Sequence, residues 1–151
     1  QAVRWAHYPP EGTRGMGIAR AHGYGFRVAE YLESADANTV VIVQAESAQA
    51  VGEIDAIAQV PGVDAVLIGP YDLSASLGRP GELSHPDVQG AITRIAESCQ
   101  AHQMPVGIFG MNAAAVKPFM AQGFRLMLIG VDAALLGQAA RELLRSTSDQ
   151  A

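Results

Sequence analysis

Thr39-Val40-Val41-Ile42-Val43-Gln44-Ala45-Glu46 and Ile68-Gly69-Pro70-Tyr71-Asp72 decide how the chain is read. Each is an apolar run that closes on a carboxylate. Val40 to Val43 is β-branched throughout, the pattern of a strand buried on both faces of a parallel sheet. Ala65-Val66-Leu67-Ile68 is a second such run, and a helical pattern lies between the two, so the unit reads β-α-β. Parallel α/β proteins collect their ligands at the carboxyl ends of the strands. Glu46 and Asp72 are therefore expected on one rim, at the tips of successive strands. Gln44 is a polar neighbour, and no Cys or His stands beside them. An all-oxygen pair of this kind suits a hard divalent cation such as Mg²⁺ or Mn²⁺. Taken singly, either carboxylate reads more simply as a helix N-cap or a solvated loop residue. Their repetition at the same place in consecutive units is what points to a site.

Upstream, His7-Tyr8-Pro9-Pro10-Glu11-Gly12-Thr13-Arg14-Gly15-Met16-Gly17 is a loop, because tandem prolines exclude helix. Gly12, Gly15 and Gly17 permit positive φ or close backbone approach. Gly15-x-Gly17 is no dinucleotide fingerprint, since no strand feeds it. Arg14 reads as a structural salt-bridge residue before it reads as a contact for an anion. Ala19 to Gly25 is expected to be irregular. Phe26 to Glu33 reads as a short helix with Val28, Ala29 and Leu32 as its apolar stripe.

Downstream, Ala48 to Val60 reads as one helix, stopped by Pro61-Gly62, with Val51, Ile54, Ile57 and Ala58 facing the core. Val63 to Ile68 is the next strand, and Tyr71 to Gly78 a short helix with Asp72 in its first turn. Ser84-His85-Pro86-Asp87 opens a helix that runs to about His102 and buries Val88, Ala91, Ile92, Ile95, Ala96 and Cys99. Pro105 to Phe109 is a third strand. Asn112 caps a helix with Val116, Phe119 and Met120 facing inward. Arg125 to Ile129 is a fourth strand. Asp132 caps a last helix that carries Leu135, Leu136, Leu143 and Leu144, and a polar, frayed tail is expected from Ser146. Four strand–helix units in a row make half of a (β/α)₈ barrel. Residues 1–151 are thus expected to form a single partial domain of α/β class, the C-terminal half of a TIM barrel. The absence of an initiator Met, and a helical tail at Ala2-Val3-Arg4-Trp5-Ala6, lead us to expect a piece of a longer protein.

Composition sets the outer bounds. With 49% hydrophobic and 17% charged residues the chain is globular rather than disordered. A formal charge of −5 with scattered Lys and Arg argues against nucleic acid. No apolar run reaches membrane-spanning length. One cysteine, Cys99, excludes a disulfide framework, fits a reducing, cytoplasmic setting, and reads as a buried inert thiol.

Read together, Tyr8-Pro9-Pro10-x-Gly12-x-Arg14-Gly15, Val43-Gln44-Ala45-Glu46, Ile68-Gly69-Pro70-x-Asp72-Leu73-Ser74, His85-Pro86 and Ile129-Gly130-Val131-Asp132 resemble the HpcH/HpaI family of class II pyruvate aldolases. That family includes 4-hydroxy-2-oxoheptane-1,7-dioate aldolase and 2-dehydro-3-deoxyglucarate aldolase. Asp72 follows Glu46 by 26 residues, which is the family's spacing. The resemblance implies a (β/α)₈ barrel in a homo-oligomer, a hexamer with exchanged C-terminal helices. It implies a carbon–carbon lyase that cleaves a 4-hydroxy-2-oxo acid to pyruvate and an aldehyde through a metal-bound pyruvate enolate. Glu46 and Asp72 would be the protein ligands of the divalent metal, Mg²⁺, Mn²⁺ or Co²⁺. Gln44 would hydrogen-bond pyruvate, and the backbone at Tyr71 and Asp72 would receive its carboxylate. Phe109 and Val131 would be apolar pocket walls. At Tyr71 the family commonly has alanine, so tyrosine here reshapes the acceptor pocket.

The resemblance also implies parts this chain lacks. The family's basic histidine, in an Asp-x-Glu-His run, and its enolate-stabilising arginine precede these segments. His7, His22, His85 and His102 stand in other contexts, His85 being read as opening its helix on the side away from the strand ends. No catalytic base or arginine is therefore identified here, and little or no turnover is expected of this chain alone. Lys117, the only lysine, falls mid-helix, which argues against Schiff-base chemistry. Two other readings stay open: an incomplete, non-catalytic module that binds metal and oxo acid, and a lyase of the citrate lyase β or malyl-CoA type.

Overall fold

The structure is a computed structural model and describes residues 1–148. Its centre is a four-stranded, all-parallel sheet in the order β1 (Ile42–Ala45), β2 (Ala65–Ile68), β3 (Val106–Gly110), β4 (Leu126–Ile129). Sequential order in a parallel sheet follows from repeated right-handed β-α-β crossovers, each laying the next strand beside the last. The register pairs Ala45 with Ile68, Ile68 with Ile108, and Ile108 with Met127, so the strand tips rise together to one rim. This is the expected half of a (β/α)₈ barrel.

Helices cover one face. After α1 (Ala2–Ala6), a 3₁₀ segment at Arg20–Gly25 and α2 (Val28–Ala35), the units contribute α3 (Ala48–Gly52), α4 (Ile54–Ala58), α5 (Pro70–Ser76), α6 (Pro86–Ala101), α7 (Ala113–Met120) and α8 (Asp132–Ser148). Proline at the first position of α6 is preset for helix, and the His85 ring accepts from Asp87 N–H at 3.2 Å as its cap. Alternate strand residues Val66, Ile68, Val106 and Ile108 turn to this side and pack on Val88, Ile92, Ile95 and Cys99 of α6. Asp55 of α4 pins the outer surface of α6: Ser98 Oγ donates to it at 2.5 Å, His102 Nε2 stands at 3.4 Å, and Arg94 forms an ion pair with it. The Ser98 hydroxyl, then Arg94, hold the Asp55 carboxyl below its ordinary range.

Several expectations are corrected. The first strand is Ile42–Ala45 rather than Val40 to Glu46, and it is not buried on both faces. Val40 and Ile42 are 67% and 45% exposed, because no described residue covers the inner face of the sheet. The helix expected over Ala48 to Val60 breaks at Glu53, whose φ/ψ of −100°/6° leaves the helical range. Residues 20–25 contain 3₁₀ turns broken by a kink at Gly23 and Tyr24, whose φ values are 58° and 55°, so the segment is irregular in part as expected. α2 starts at Val28, leaving Phe26 and Ala29 exposed. Met120 is exposed as well. The polar tail is helical to Ser148, with the Ser146 and Thr147 hydroxyls bonded back to Leu143 O and Leu144 O; residues 149–151 lie outside the described part.

The Pro-Pro loop is a structural knot. Tyr8 is buried, its hydroxyl 3.2 Å from His22 Nε2, and both rings meet Tyr31 edge-on. Arg14 lies over the Tyr8 ring at 4.7 Å, so it is a packing residue rather than a salt-bridge partner or an anion contact. Gly12 is required by close approach, since a Cβ there would stand 2.2 Å from His7 O; Gly15 and Gly17 lie in open space. No helix among the described residues is long and apolar enough to cross a membrane.

Candidate active site

The rim is built by two successive units. Gln44 and Glu46 are two residues apart at the end of β1, so they project to the same side of the sheet, the inner one. β2 ends at Ile68, and Gly69-Pro70 turns the chain into α5, whose first turn holds Tyr71 and Asp72. Gly69 N–H donates to Ala45 O at 3.3 Å, which fixes this turn against the tip of β1.

Gly69 is where the two units converge. Its φ of −96° is open to any residue, so backbone freedom does not require glycine. The space does: an added Cβ would stand 2.6 Å from Gln44 Nε2 and 2.9 Å from Glu46 Oε2. The Gln44 amide and the Glu46 carboxylate thus lie directly over the turn that presents Asp72.

Two serines hold the frame. Ser74 is fully buried; its hydroxyl donates to Tyr71 O at 2.6 Å and accepts from Gly81 N–H at 3.0 Å. Ser76 Oγ accepts from Ala48 N–H at 3.0 Å, tying the loop after Glu46 to α5. Ser47 adds the N-cap of α3, accepting from Ala50 N–H at 3.1 Å. Sequence reading made Gly69 only a strand breaker, placed Ser74 only within a family motif, and gave Ser76 no role. Glycine and serine serve many local purposes, and only the distances single these out.

Among the described residues neither Glu46 nor Asp72 has an ion-pair or hydrogen-bond partner. No group of three or more His, Cys, Asp and Glu that could hold a metal occurs among them either. A cation here would take two carboxylates from this chain and leave positions for water and substrate, a donor set that fits a hard divalent ion. Phe109 lies on β3 opposite Leu128, half-buried, and shares a pocket with Tyr71. Val131 follows β4 at the same rim and is 41% exposed.

Three of the four histidines are engaged elsewhere. His7 Nδ1 is 3.0 Å from Asp36, His22 is buried against Tyr8 and Tyr31, and His102 meets Asp55. The position expected for His85 is corrected. It opens α6 on the rim side, since Ser84 and Gln89 share a pocket with Tyr71 and the end of β3. A helix that returns from a strand tip must begin at that tip. Its ring nitrogen is nonetheless spent on capping Asp87 N–H.

A profile of the HpcH/HpaI aldolase/citrate lyase family matches residues 1–139. The chain belongs to this family. It is 41% identical over 144 residues to a 5-keto-4-deoxy-D-glucarate aldolase of Shigella dysenteriae serotype 1, covering 95% of this chain and 56% of that protein. It is 40% identical over 150 residues to a hydroxypyruvate/pyruvate aldolase of Paraburkholderia phytofirmans, covering 96% and 57%. A crystal structure of an HpcH/HpaI aldolase/citrate lyase family protein from Burkholderia cenocepacia J2315 superposes with a TM-score of 0.85 at 39% identity, over 97% of this chain and 58% of that one. The chain therefore spans a little over half the length of the family members it matches.

Proposed function

We propose that the protein carrying this chain is a divalent-metal-dependent carbon–carbon lyase that cleaves a 4-hydroxy-2-oxo acid to pyruvate and an aldehyde. One observation carries the reading: Gln44 and Glu46 meet over Gly69, at the turn that presents Asp72. Family members named as aldolases of oxo-acid substrates support it.

Glu46 and Asp72 would hold the cation, which when bound supplies Lewis-acid polarisation of a 2-oxo acid. The Gln44 amide would donate a hydrogen bond to the substrate oxygen beside it. At the open start of α5 the first N–H groups have no intrahelical acceptor, and those of Tyr71 and Asp72 would receive the substrate carboxylate. Phe109 and Val131 would wall the site against water. His7, His22 and His102 are held by other partners and His85 Nδ1 caps α6; the base that moves the substrate proton is assigned to the polypeptide outside these residues. Lys117 on α7 is far in sequence from the rim turns, and an imine route has no amine at Gly69 to Asp72. The exposed Leu135, Leu136 and Leu143 of α8 support pairing of that helix with another chain of a homo-oligomer.

The test uses the full natural polypeptide. Pyruvate release from a 4-hydroxy-2-oxo acid, followed by coupled lactate dehydrogenase, should require Mg²⁺, Mn²⁺ or Co²⁺. Undiminished activity in excess chelator would overturn the proposal. The 151-residue chain should bind Mn²⁺, lose that binding in Glu46→Gln and Asp72→Asn, and give little or no pyruvate alone.

A further inference from the structure

Two hydrogen bonds fasten the rim turns to each other, and both carboxylates lie between them. On one side Gly69 N–H donates to Ala45 O at 3.3 Å. On the other Ala48 N–H donates to Ser76 Oγ at 3.0 Å. Glu46 stands between Ala45 and Ala48, and Asp72 between Gly69 and Ser76. The two segments therefore form a closed ring with one carboxylate on each arm. The first fastening is backbone to backbone and continues the β1–β2 ladder. The second depends on one side chain.

That side chain stands apart from other helical serines of the chain. The hydroxyls of Ser34, Ser74 and Ser146 bond back to the carbonyl three residues before them, a common local habit. Ser76 instead reaches a different unit. Asp72 and Ser76 are one turn apart on α5 and share a face. The bond thus lays the segment after Glu46 along the face that carries Asp72. Ser76 and Ala48 are both exposed, and a solvated hydrogen bond contributes little to global stability. What it fixes is a spacing.

We infer that Ser76 is a positioning residue: through Ala48 N–H it sets the gap between the Glu46 and Asp72 carboxylates, and with it the size of cation the pair accepts. The inference rests on the metal-dependent lyase reading above. Oxygen ligands stand about 2.0–2.1 Å from Mg²⁺ and about 2.3–2.6 Å from Ca²⁺. A gap held at both ends discriminates between them, whereas a gap held at one end adapts to either.

The experiment uses the full natural polypeptide. Mn²⁺ binding is read by electron paramagnetic resonance of the free ion, and displacement by Mg²⁺ and by Ca²⁺ ranks those two. Ser76→Ala removes the acceptor. Ala48→Pro removes the donor at the first position of α3, where proline suits a helix and the preceding Ser47 is already extended. Each should weaken Mn²⁺ roughly tenfold, as loss of an orienting group does, and move the ranking toward Ca²⁺ by roughly threefold or more. Ser76→Thr keeps the hydroxyl and should keep wild-type affinity. The double variant should bind no more weakly than either single one, because both delete the same bond. The metal-free melting temperature should fall by less than about 4 °C. The Mn²⁺ concentration for half-maximal pyruvate release should rise roughly tenfold, while kcat at saturating Mn²⁺ holds. Suppose the wild type binds Mn²⁺ and Glu46→Gln abolishes that binding. Unchanged affinity and ranking in Ser76→Ala, Ser76→Thr as weak as Ser76→Ala, or additive losses in the double variant would then overturn the role of Ser76 and leave the lyase reading standing. Absence of Mn²⁺ binding by the wild type would overturn both.

Discussion

The two faces of the central sheet are built from the same strands and have opposite fates. On the outer face Val66, Ile68, Val106 and Ile108 disappear beneath α6, and Ile95 and Cys99 are fully buried with them. On the inner face Ile42 and Leu128 are 45% and 49% exposed, and Gln44 lies among them. Both faces are rich in β-branched and long aliphatic residues. The difference teaches that apolar pattern specifies which residues want cover, while the cover itself is a matter of which elements are present. The outer face is closed by local crossovers. The inner face of a barrel is closed by strands across the axis, which are distant in sequence.

The largest expected effect tests this contrast directly. Ile95→Ala leaves a cavity in the sealed layer and should cost about 2–5 kcal/mol in denaturant unfolding of this chain. Leu128→Ala on the inner face removes a side chain that is already half solvated and should cost under about 1 kcal/mol. Equal losses would show that the inner face is covered after all.

Gly69→Ala addresses the rim where the faces meet. The added methyl would press hardest on the ends of two flexible side chains, Gln44 and Glu46, and less closely on Glu46 Cβ at 3.2 Å, rather than on backbone. Stability should change by less than about 1 kcal/mol, whereas Mn²⁺ affinity should fall roughly tenfold, as for groups that orient a ligand. A large melting shift with unchanged Mn²⁺ affinity, read by calorimetry, would make Gly69 a structural residue only.

A smaller effect belongs to the outer pin. The Asp55 carboxyl is held below its ordinary 3.8 by Ser98 and Arg94, so the folded state favours the ionised form. Stability from this group is present above the ordinary carboxylate range and lost as pH falls below it. Asp55→Asn should therefore lower the melting temperature at neutral pH and flatten its decline in acid. A wild-type and variant difference that does not shrink on acidification would place the effect elsewhere.

The least change is expected at Cys99. Burial, then the nearby Asp55 charge, pushes its thiol up to about 11, so at pH 8 only about 0.1% is thiolate. A thiol reagent should label native protein only as fast as it opens, and labelling complete within seconds would show the outer layer to be loose.

Much of this was legible in the sequence. Val66, Ile68, Val106 and Ile108, alternating with turn residues and helical stripes, announce parallel β-α-β units, because crossovers are local and their punctuation is chemical. The rim followed from the same logic, since residues that close successive parallel strands collect at the carboxyl ends of the sheet. What stayed hidden depends on neighbours. The break at Glu53 is marked only by Gly52 before it, and a single glycine inside a helical pattern does not by itself end a helix. The exposure of Val40 and Ile42 follows from what faces them, not from what they are. His22 gave no sign that Tyr8 and Tyr31 would enclose it, because the three are brought together only by the path of the loop. The room reserved over Gly69 is a property of two side chains from another strand.

The pocket beside Tyr71 draws its walls from one uninterrupted run, Pro70 to Phe119. The shape of that cavity is consequently written in one contiguous block of the polypeptide. Exchanging the block between relatives, by recombination or by gene synthesis, would carry the whole cavity across while leaving Gln44 and Glu46 with their original host.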